Sequence, residues 1–213
     1  MAHMPDDAGC RCLEIFLSAK RSSLMSNAAC TSTDHSKSIL SIISVEKWYV
    51  EVLGKVERFR DQGEAMCESA QTLLMLPTPR RKEAASCFQR ARDLGAAHGF
   101  ISVEGKACKG LGELKLKEGR YEEGLDLLRN ALAAASLSEG RVSMHELEAL
   151  GALINALFAR GKIDEVEPLV PRFQAAAKTE SHGRIGTWVM ESLIISARLH
   201  EARGRPQEAA GEV

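Results

Sequence analysis

The sequence predicts an all-α protein, specifically an α-solenoid in which antiparallel helix hairpins stack on one another. The first observation is composition: apolar residues make up 45% of the 213 residues but aromatic residues only 5%. The core must therefore consist mainly of Ala, Leu, Val and Ile, which suits closely packed helices. The second observation is that amphipathic runs recur along the chain at intervals of 40 to 43 residues. A fixed interval of this length is typical of stacked helical repeats.

The chain is predicted to begin with an unstructured tail over residues 1–40, followed by a helical repeat domain over residues 41–213. The tail has no sustained helical period and is rich in Ser, Thr, Asn and Cys. Because its Ser- and Thr-rich part contains few acidic residues, a transit peptide stays open as an alternative. A helix is expected after the tail, where four apolar residues recur at helical spacing and predict one buried face. These residues are Val45, Trp48, Val52 and Val56.

Residues 111–132, LGELKLKEGRYEEGLDLLRNAL, have the pattern of one helix hairpin. Leu111 and Leu114 lie on one face of the first predicted helix, and Gly119 stands where that helix must end. Glycine accepts the left-handed backbone conformation that is common just past a helix end. The second predicted helix is also amphipathic, through Tyr121, Leu125, Leu128 and Leu132.

Copies of this hairpin extend along the chain. The turn glycine Gly119 has counterparts at Gly161 and Gly204. A small residue is expected where the two helices of a hairpin cross, because only a small side chain allows close approach of the backbones. The crossing positions, spaced 40, 42 and 43 residues apart, are Ala84, Gly124, Val166 and Ala209. The sequence therefore predicts four repeat units, with a slightly wider helix pair at Val166.

The best copy resembles the tetratricopeptide repeat (TPR), and the resemblance extends over roughly residues 65–213. Cys108 and Lys115 stand where the family has Trp and Tyr, and the spacing exceeds the usual period of about 34 residues. The long spacing is similar to that of kinesin light chain, cell-polarity adaptors and large bacterial transcription activators. The residues that match the TPR pattern are Leu111, Gly112, Gly119, Tyr121, Gly124 and Ala131.

The resemblance implies a groove, lined by the first helices of successive units, that holds a segment of a partner protein. Some family members clamp a C-terminal carboxylate there, and Lys109, Asn155 and Arg198 occupy comparable positions. Glu113 and Ile194 depart from such a clamp, which favours a mixed-charge or amphipathic partner segment instead. The residues predicted to face the groove are Lys106, Lys109, Glu113, Lys117, Glu148, Asn155, Phe158 and Arg198.

Charge and motifs argue against several other functions. The 28 basic and 29 acidic residues nearly cancel, so no overall field favours nucleic acid or an anionic membrane. No apolar run reaches the roughly 18 residues that a membrane span requires. The six cysteines and six histidines lack metal-binding spacing, and no nucleotide-binding loop or nucleophile motif is present. We therefore expect no metal, no cofactor and no catalytic residues, and we expect a reducing, cytoplasmic location.

The sequence thus predicts a non-enzymatic scaffold or adaptor for protein–protein interaction. The alternative is a regulatory or oligomerisation segment of a larger multidomain protein, because the last repeat ends at Val213, soon after its second helix begins. This alternative predicts self-association through the exposed last repeat. A basic cluster is expected to be a solvated face, with an acidic partner as the alternative; its members are Arg80, Arg81, Lys82, Arg90 and Arg92.

Overall fold

A computed structural model of the protein describes residues 33–137, 144–180 and 186–205. These residues form α-helices joined by turns and short loops, and no β-strand occurs among them. The all-α prediction is therefore confirmed. The chain divides into two compact units, which meet in sequence between Val103 and Glu104. Residues 1–32, most of the predicted tail, lie outside the described part, and the first described helix begins at Thr33.

The described part of the first unit contains three helices, of which the second packs against both others. They are α1 (Thr33–Lys55), α2 (Phe59–Leu74) and α3 (Arg81–His98). The predicted crossing residue Ala84 is fully buried in α3. Glu46 of α1 is also buried, and its Oε1 accepts a hydrogen bond of 3.1 Å from the Thr72 hydroxyl of α2. The other large buried side chains of this unit include Tyr49, Leu53, Leu73 and Phe88.

The predicted buried face of α1 is wrong at Trp48, whose surface is 44% exposed. The stripe through Val45 and Trp48 runs along the edge of the helix, whereas the face toward α2 is centred on Leu53. Two overlapping stripes of helical period exist in this segment, and periodicity cannot decide which of them packs. The residues that the fold buries are Ile42, Ile43, Glu46, Tyr49, Val50, Val52 and Leu53.

Between Glu104 and Arg205, the described residues of the second unit form two helix hairpins followed by one further helix. The helix α4 (Ile101–Lys117) begins at the end of the first unit and forms the first hairpin with α5 (Tyr121–Ser136). The remaining helices are α6 (Met144–Ala159), α7 (Ile163–Val166), α8 (Leu169–Glu180) and α9 (Thr187–Ala202).

The predicted crossing of α4 and α5 is confirmed at Gly124. A Cβ atom placed on Gly124 would lie 2.8 Å from the Leu116 side chain and 3.0 Å from the carbonyl oxygen of Gly112. A Cβ atom on Gly112 would in turn lie 3.0 Å from the carbonyl oxygen of Gly124. The two backbones therefore touch through two glycines. Tyr121, predicted to lie on the buried face of α5, is instead 41% exposed, with the Arg160 guanidinium 4.3 Å from its ring centre.

The second helix of the next hairpin is broken, which sequence reasoning did not predict. It consists of the short α7, a turn at Glu167 and Pro168, and then α8. Pro168 and Pro171 have no backbone N–H, so neither residue can continue the helical hydrogen-bond pattern. Val166, predicted at the crossing with α6, is fully buried. The closely spaced Pro168 and Pro171 are the sequence signal that would have predicted the break.

The same turn follows α4, α6 and α9. The predicted left-handed conformation of Gly119 is confirmed by its φ of 78°, and Gly161 and Gly204 have φ of 66° and 71°. In each case the next residue donates its N–H to the carbonyl five residues earlier, as Arg120 does to Lys115 at 2.9 Å. The turn between α1 and α2 repeats this bond, from Arg58 to Leu53, but its left-handed residue is Glu57, with φ of 58°.

Replacing Glu57 by glycine is expected to stabilise the protein. A residue with a Cβ atom costs about 1–2 kcal/mol in the left-handed conformation, and part of this gain is lost because glycine is more flexible when unfolded. We expect the free energy of unfolding to rise by about 1 kcal/mol and the thermal midpoint by about 2–4 °C. Glu57→Ala is the control, because it removes the carboxylate but keeps the Cβ atom. An equal gain in Glu57→Ala would show that the side chain, and not the backbone, is responsible.

Charged side chains connect successive hairpins of the second unit at their turns. The Arg129 guanidinium donates to Glu165 and holds the pKa of that carboxyl below its usual value. Because these groups are exposed, each pair contributes little stability. The pairs are Glu122–Lys162 at 3.1 Å, Arg129–Glu165 at 2.6 Å, and Arg203 with Asp164 and Glu167, both at 2.7 Å.

Candidate functional site

The candidate site is the surface formed by the exposed sides of α4, α6 and α9, which we call the first-helix face. The predicted residues Lys106, Lys109, Glu113 and Lys117 recur at helical spacing along α4. The α6 residues are Glu148, Asn155 and Phe158, and α9 contributes Arg198. All of these residues belong to the second compact unit, so the distances between their side chains are distances within one unit.

Lys109 lies in a group of opposite charges between α4 and α6. Its Nζ donates a hydrogen bond of 2.8 Å to Glu148 Oε2 and lies 4.0 Å from Glu113 Oε1. The Lys109 side chain is only 22% exposed. Its charge is therefore balanced by two carboxylates, and an incoming acidic group would have to compete with both.

A second group joins α6 to α9 and has a different character. The Arg198 Nη1 donates a hydrogen bond of 2.9 Å to Asn155 Oδ1. The guanidinium also lies over the Phe158 ring, with its central carbon 4.4 Å from the ring centre. Among the described residues, no carboxylate lies within ion-pair distance of Arg198. Arg198 is thus held in place by neutral partners and keeps its charge available.

The structure places the other predicted residues as follows. Lys106 is half-buried on α4, and Lys117 is exposed at the last residue of that helix. The predicted clamp residues do not form one cluster, since Lys109 is bonded to Glu148 while Asn155 and Arg198 are bonded to each other. Only the second pair leaves a cation for a ligand.

Two apolar residues of α9, Met190 and Ile194, are exposed; Met190 was not among the predicted groove residues, and Ile194 was considered there only as a departure from a carboxylate clamp. They are 47% and 56% exposed, and they stand two helical turns and one helical turn before Arg198, respectively. Their counterparts forty-three residues earlier, Leu147 and Gly151, are both buried in α6. Aligned repeat positions therefore predict burial for both residues, and their exposure could not be read from the repeat pattern.

A hollow of about 570 Å³ lies elsewhere in the second unit, beside the break between α7 and α8. Leu132, Leu153 and Leu169 line it, with Arg129 and Arg172 at its edge. Both guanidinium groups already have protein partners, Glu165 for Arg129 and Glu146 for Arg172. The hollow therefore offers apolar contact but no available charge, unlike the first-helix face.

No cluster of three metal-ligating side chains occurs in the described part of the chain, and no described helix is long and apolar enough to cross a membrane. The thiols of Cys67 and Cys108 are buried and form no disulfide. Burial raises the pKa of the Cys87 thiol, against a smaller opposite effect of Arg90. This thiol is therefore a weaker nucleophile at neutral pH than an ordinary cysteine.

Comparison with solved structures identifies the architecture. A kinesin light chain from Podosopora anserina with nearly identical TPR-like repeats has a similar structure. The match covers all of this chain and 93% of the kinesin light chain, with a TM-score of 0.64 and 16% identity. A substituted form of that protein gives a TM-score of 0.63 at 15% identity, covering 92% of this chain and 90% of its own. The fold is TPR-like.

A third solved structure, of BtubC (BKLC) from P. vanneervenii, also matches. The match covers 94% of this chain and 88% of the BtubC chain, with a TM-score of 0.55 and 14% identity. No protein-family model and no curated protein sequence matches the chain. The TPR-like resemblance and the predicted α-solenoid are therefore confirmed at the level of the fold, and at these identities the likeness extends to the fold alone.

Proposed function

We propose that this TPR-like protein is a non-enzymatic scaffold or adaptor that holds a segment of a partner protein on its first-helix face. The observation that carries the proposal is Arg198. It is exposed, it is held in place by Asn155 and Phe158, and no described carboxylate neutralises it. A guanidinium held in advance loses little side-chain entropy when a carboxylate binds. Exposed Met190 and Ile194 beside it add apolar contact area.

The first-helix face thereby combines the two elements of a protein-binding surface. An arginine with satisfied neutral partners provides a charge-assisted contact, and neighbouring apolar side chains provide area that leaves water on binding. The residues Lys106, Lys109, Glu113 and Lys117 would form the more polar edge of this surface. We also propose a reducing compartment, the cytoplasm, because buried thiols such as Cys67 and Cys108 take part in helix packing without forming a disulfide.

Charge reversal at Arg198 tests this function. We expect the proteins that the wild-type chain captures from a lysate to be lost with Arg198→Glu, with recovery reduced about tenfold or more. Lys109→Gln should have a smaller effect, because Lys109 is already neutralised by Glu148. Lys109→Glu is less informative, because it would place three carboxylates together. Quantitative mass spectrometry of the captured proteins gives the readout, and circular dichroism checks that the helices are intact.

The matched control is Arg60→Glu, a charge reversal on α2 in the other unit, where Arg60 is exposed and pairs with Glu64. This variant should capture the same proteins as the wild type. Equal recovery of every captured protein by Arg198→Glu would refute the assignment of the first-helix face.

A further inference from the structure

The loop between α2 and α3 contains the single Ser/Thr-Pro dipeptide of the 213-residue sequence, Thr78-Pro79. The base of this loop is closed by a hydrogen bond of 3.1 Å from the Arg80 N–H to the Leu73 carbonyl oxygen. Thr78 and Pro79 are both exposed, and the Thr78 hydroxyl has no hydrogen-bond partner among the described residues. This hydroxyl is therefore accessible to an enzyme that modifies it.

Prolines on both sides of Thr78 keep this segment out of the neighbouring helices. A residue that precedes proline is disfavoured in the helical conformation, and this restriction applies to Leu76 before Pro77 and to Thr78 before Pro79. Neither the Leu76 N–H nor the Thr78 N–H donates a backbone hydrogen bond to a described residue. The loop can therefore adopt the extended form in which protein kinases bind their substrates without losing backbone hydrogen bonds around Thr78.

Basic residues follow the dipeptide directly. Arg80 and Arg81 are the second and third residues after Thr78, Lys82 comes next, and all three are exposed. Arg80 lies 3.4 Å from Glu83, whereas Arg81 and Lys82 form no ion pair with a described carboxylate. Threonine followed by proline and then by basic residues is the pattern that proline-directed protein kinases accept. The cations at these positions are free to pair with acidic groups of such an enzyme.

We infer that Thr78 is a phosphorylation site for a proline-directed protein kinase. In this reaction the Thr78 oxygen forms a bond to the γ-phosphorus of ATP, while the bond from that phosphorus to the oxygen bridging to the β-phosphate breaks. The hydroxyl proton passes to a carboxylate of the kinase, and ADP leaves. The inference concerns the first unit and does not depend on the proposed function.

The phosphate also has a consequence for the protein itself. A phosphate on Thr78 has a charge of about −2 at neutral pH. Consecutive Cα atoms are about 3.8 Å apart, so the Cα atoms of Arg80 and Arg81 lie within about 8 Å and 11 Å of that of Thr78. The long arginine side chains bring their guanidinium groups within reach of the phosphate, which accepts charge-assisted hydrogen bonds from them. Phosphorylation is therefore expected to stabilise the loop and the start of α3.

Treatment of the full chain with a purified cyclin-dependent kinase, ATP and Mg²⁺ tests the site. Mass spectrometry of the intact protein should show one added phosphate, and peptide sequencing should place it on Thr78. Thr78→Ala should stay unmodified. Pro79→Ala keeps the hydroxyl and removes the proline, and it should also stay unmodified. An unmodified wild-type chain, phosphate on other residues, or equal modification of Thr78 with and without Pro79 would overturn the inference.

Thermal unfolding tests the contact with the arginines. Phosphothreonine is placed at position 78 during translation, so that recognition by the kinase does not affect the comparison. The thermal midpoint should rise by about 2 °C or more at low salt. This gain should shrink in about 1 M salt, which screens charges beyond about 3 Å, and also in Arg81→Gln. A midpoint that does not rise, or a gain that salt and Arg81→Gln leave intact, would refute the stabilising contact, and the kinase experiment decides the modification separately.

Discussion

Replacing Phe173 by alanine is expected to lower the free energy of unfolding by about 3–5 kcal/mol. Phe173 is fully buried in α8, within the core of the second unit. Its ring meets the Trp188 ring edge-on, with a centroid distance of 6.2 Å and an interplanar angle of 71°. The substitution leaves a cavity between α6, α8 and α9, because helices held by several neighbours cannot collapse into the space. Urea unfolding followed by circular dichroism measures the loss.

Phe158→Ala is the matched control for this change. Phe158 is only partly buried, and its ring contacts the exposed Arg198. The same truncation should therefore cost clearly less stability than Phe173→Ala. Similar losses for both variants would show that the core of this unit is not organised around Phe173.

A pair of glycine substitutions should give opposite results in the same unit. Gly124→Ala is expected to destabilise by about 1–3 kcal/mol, because its new methyl group overlaps the Leu116 side chain and the Gly112 carbonyl. Gly151→Ala should be neutral or stabilise by about 0.5–1 kcal/mol, because the nearest atom to its methyl group is 3.5 Å away, in Phe173. Both glycines are buried within helices, so helix propensity alone predicts the same sign for both.

Thermal and urea midpoints of the two alanine variants make the comparison. Two stabilised variants would contradict the close backbone approach of α4 and α5. Two destabilised variants would show that α6 also requires a glycine at position 151. The contacts of Gly151 would then have to be closer than the 3.5 Å found in the structure.

The interpretation of the first-helix face changes when the contacts are known. Residue types suggest that Lys109, Asn155 and Arg198 act together on a carboxylate. The structure brings Asn155 and Arg198 together but commits Lys109 to Glu148. Glu148 stands among the predicted outward residues, and its role as the partner of Lys109 depends on how α6 packs beside α4. We therefore place the proposed binding site nearer α9 than α4, at Arg198, which lies one helical turn after Ile194.

Features that depend on short stretches of chain could be predicted from the residues. The left-handed turn at Gly119 and the close helix crossing at Gly124 are of this kind. Each depends on a glycine that lacks a Cβ atom. At Gly119 this allows the left-handed backbone conformation, and at Gly124 it allows the close approach of two helix backbones. The helical type of the repeats follows from amphipathic periodicity, which needs only neighbouring residues, whereas the break between α7 and α8 was not predicted.

Features that depend on packing between distant residues could not be predicted in this way. Trp48 and Tyr121 have the spacing of buried residues and are nevertheless exposed, because more than one stripe of a helix can pack and the neighbouring helix selects among them. The partners of Lys109 and Arg198 lie 39 and 43 residues away in sequence. Which carboxylate neutralises which cation is a matter of distances between helices, and those distances exist only once the hairpins of the second unit have packed.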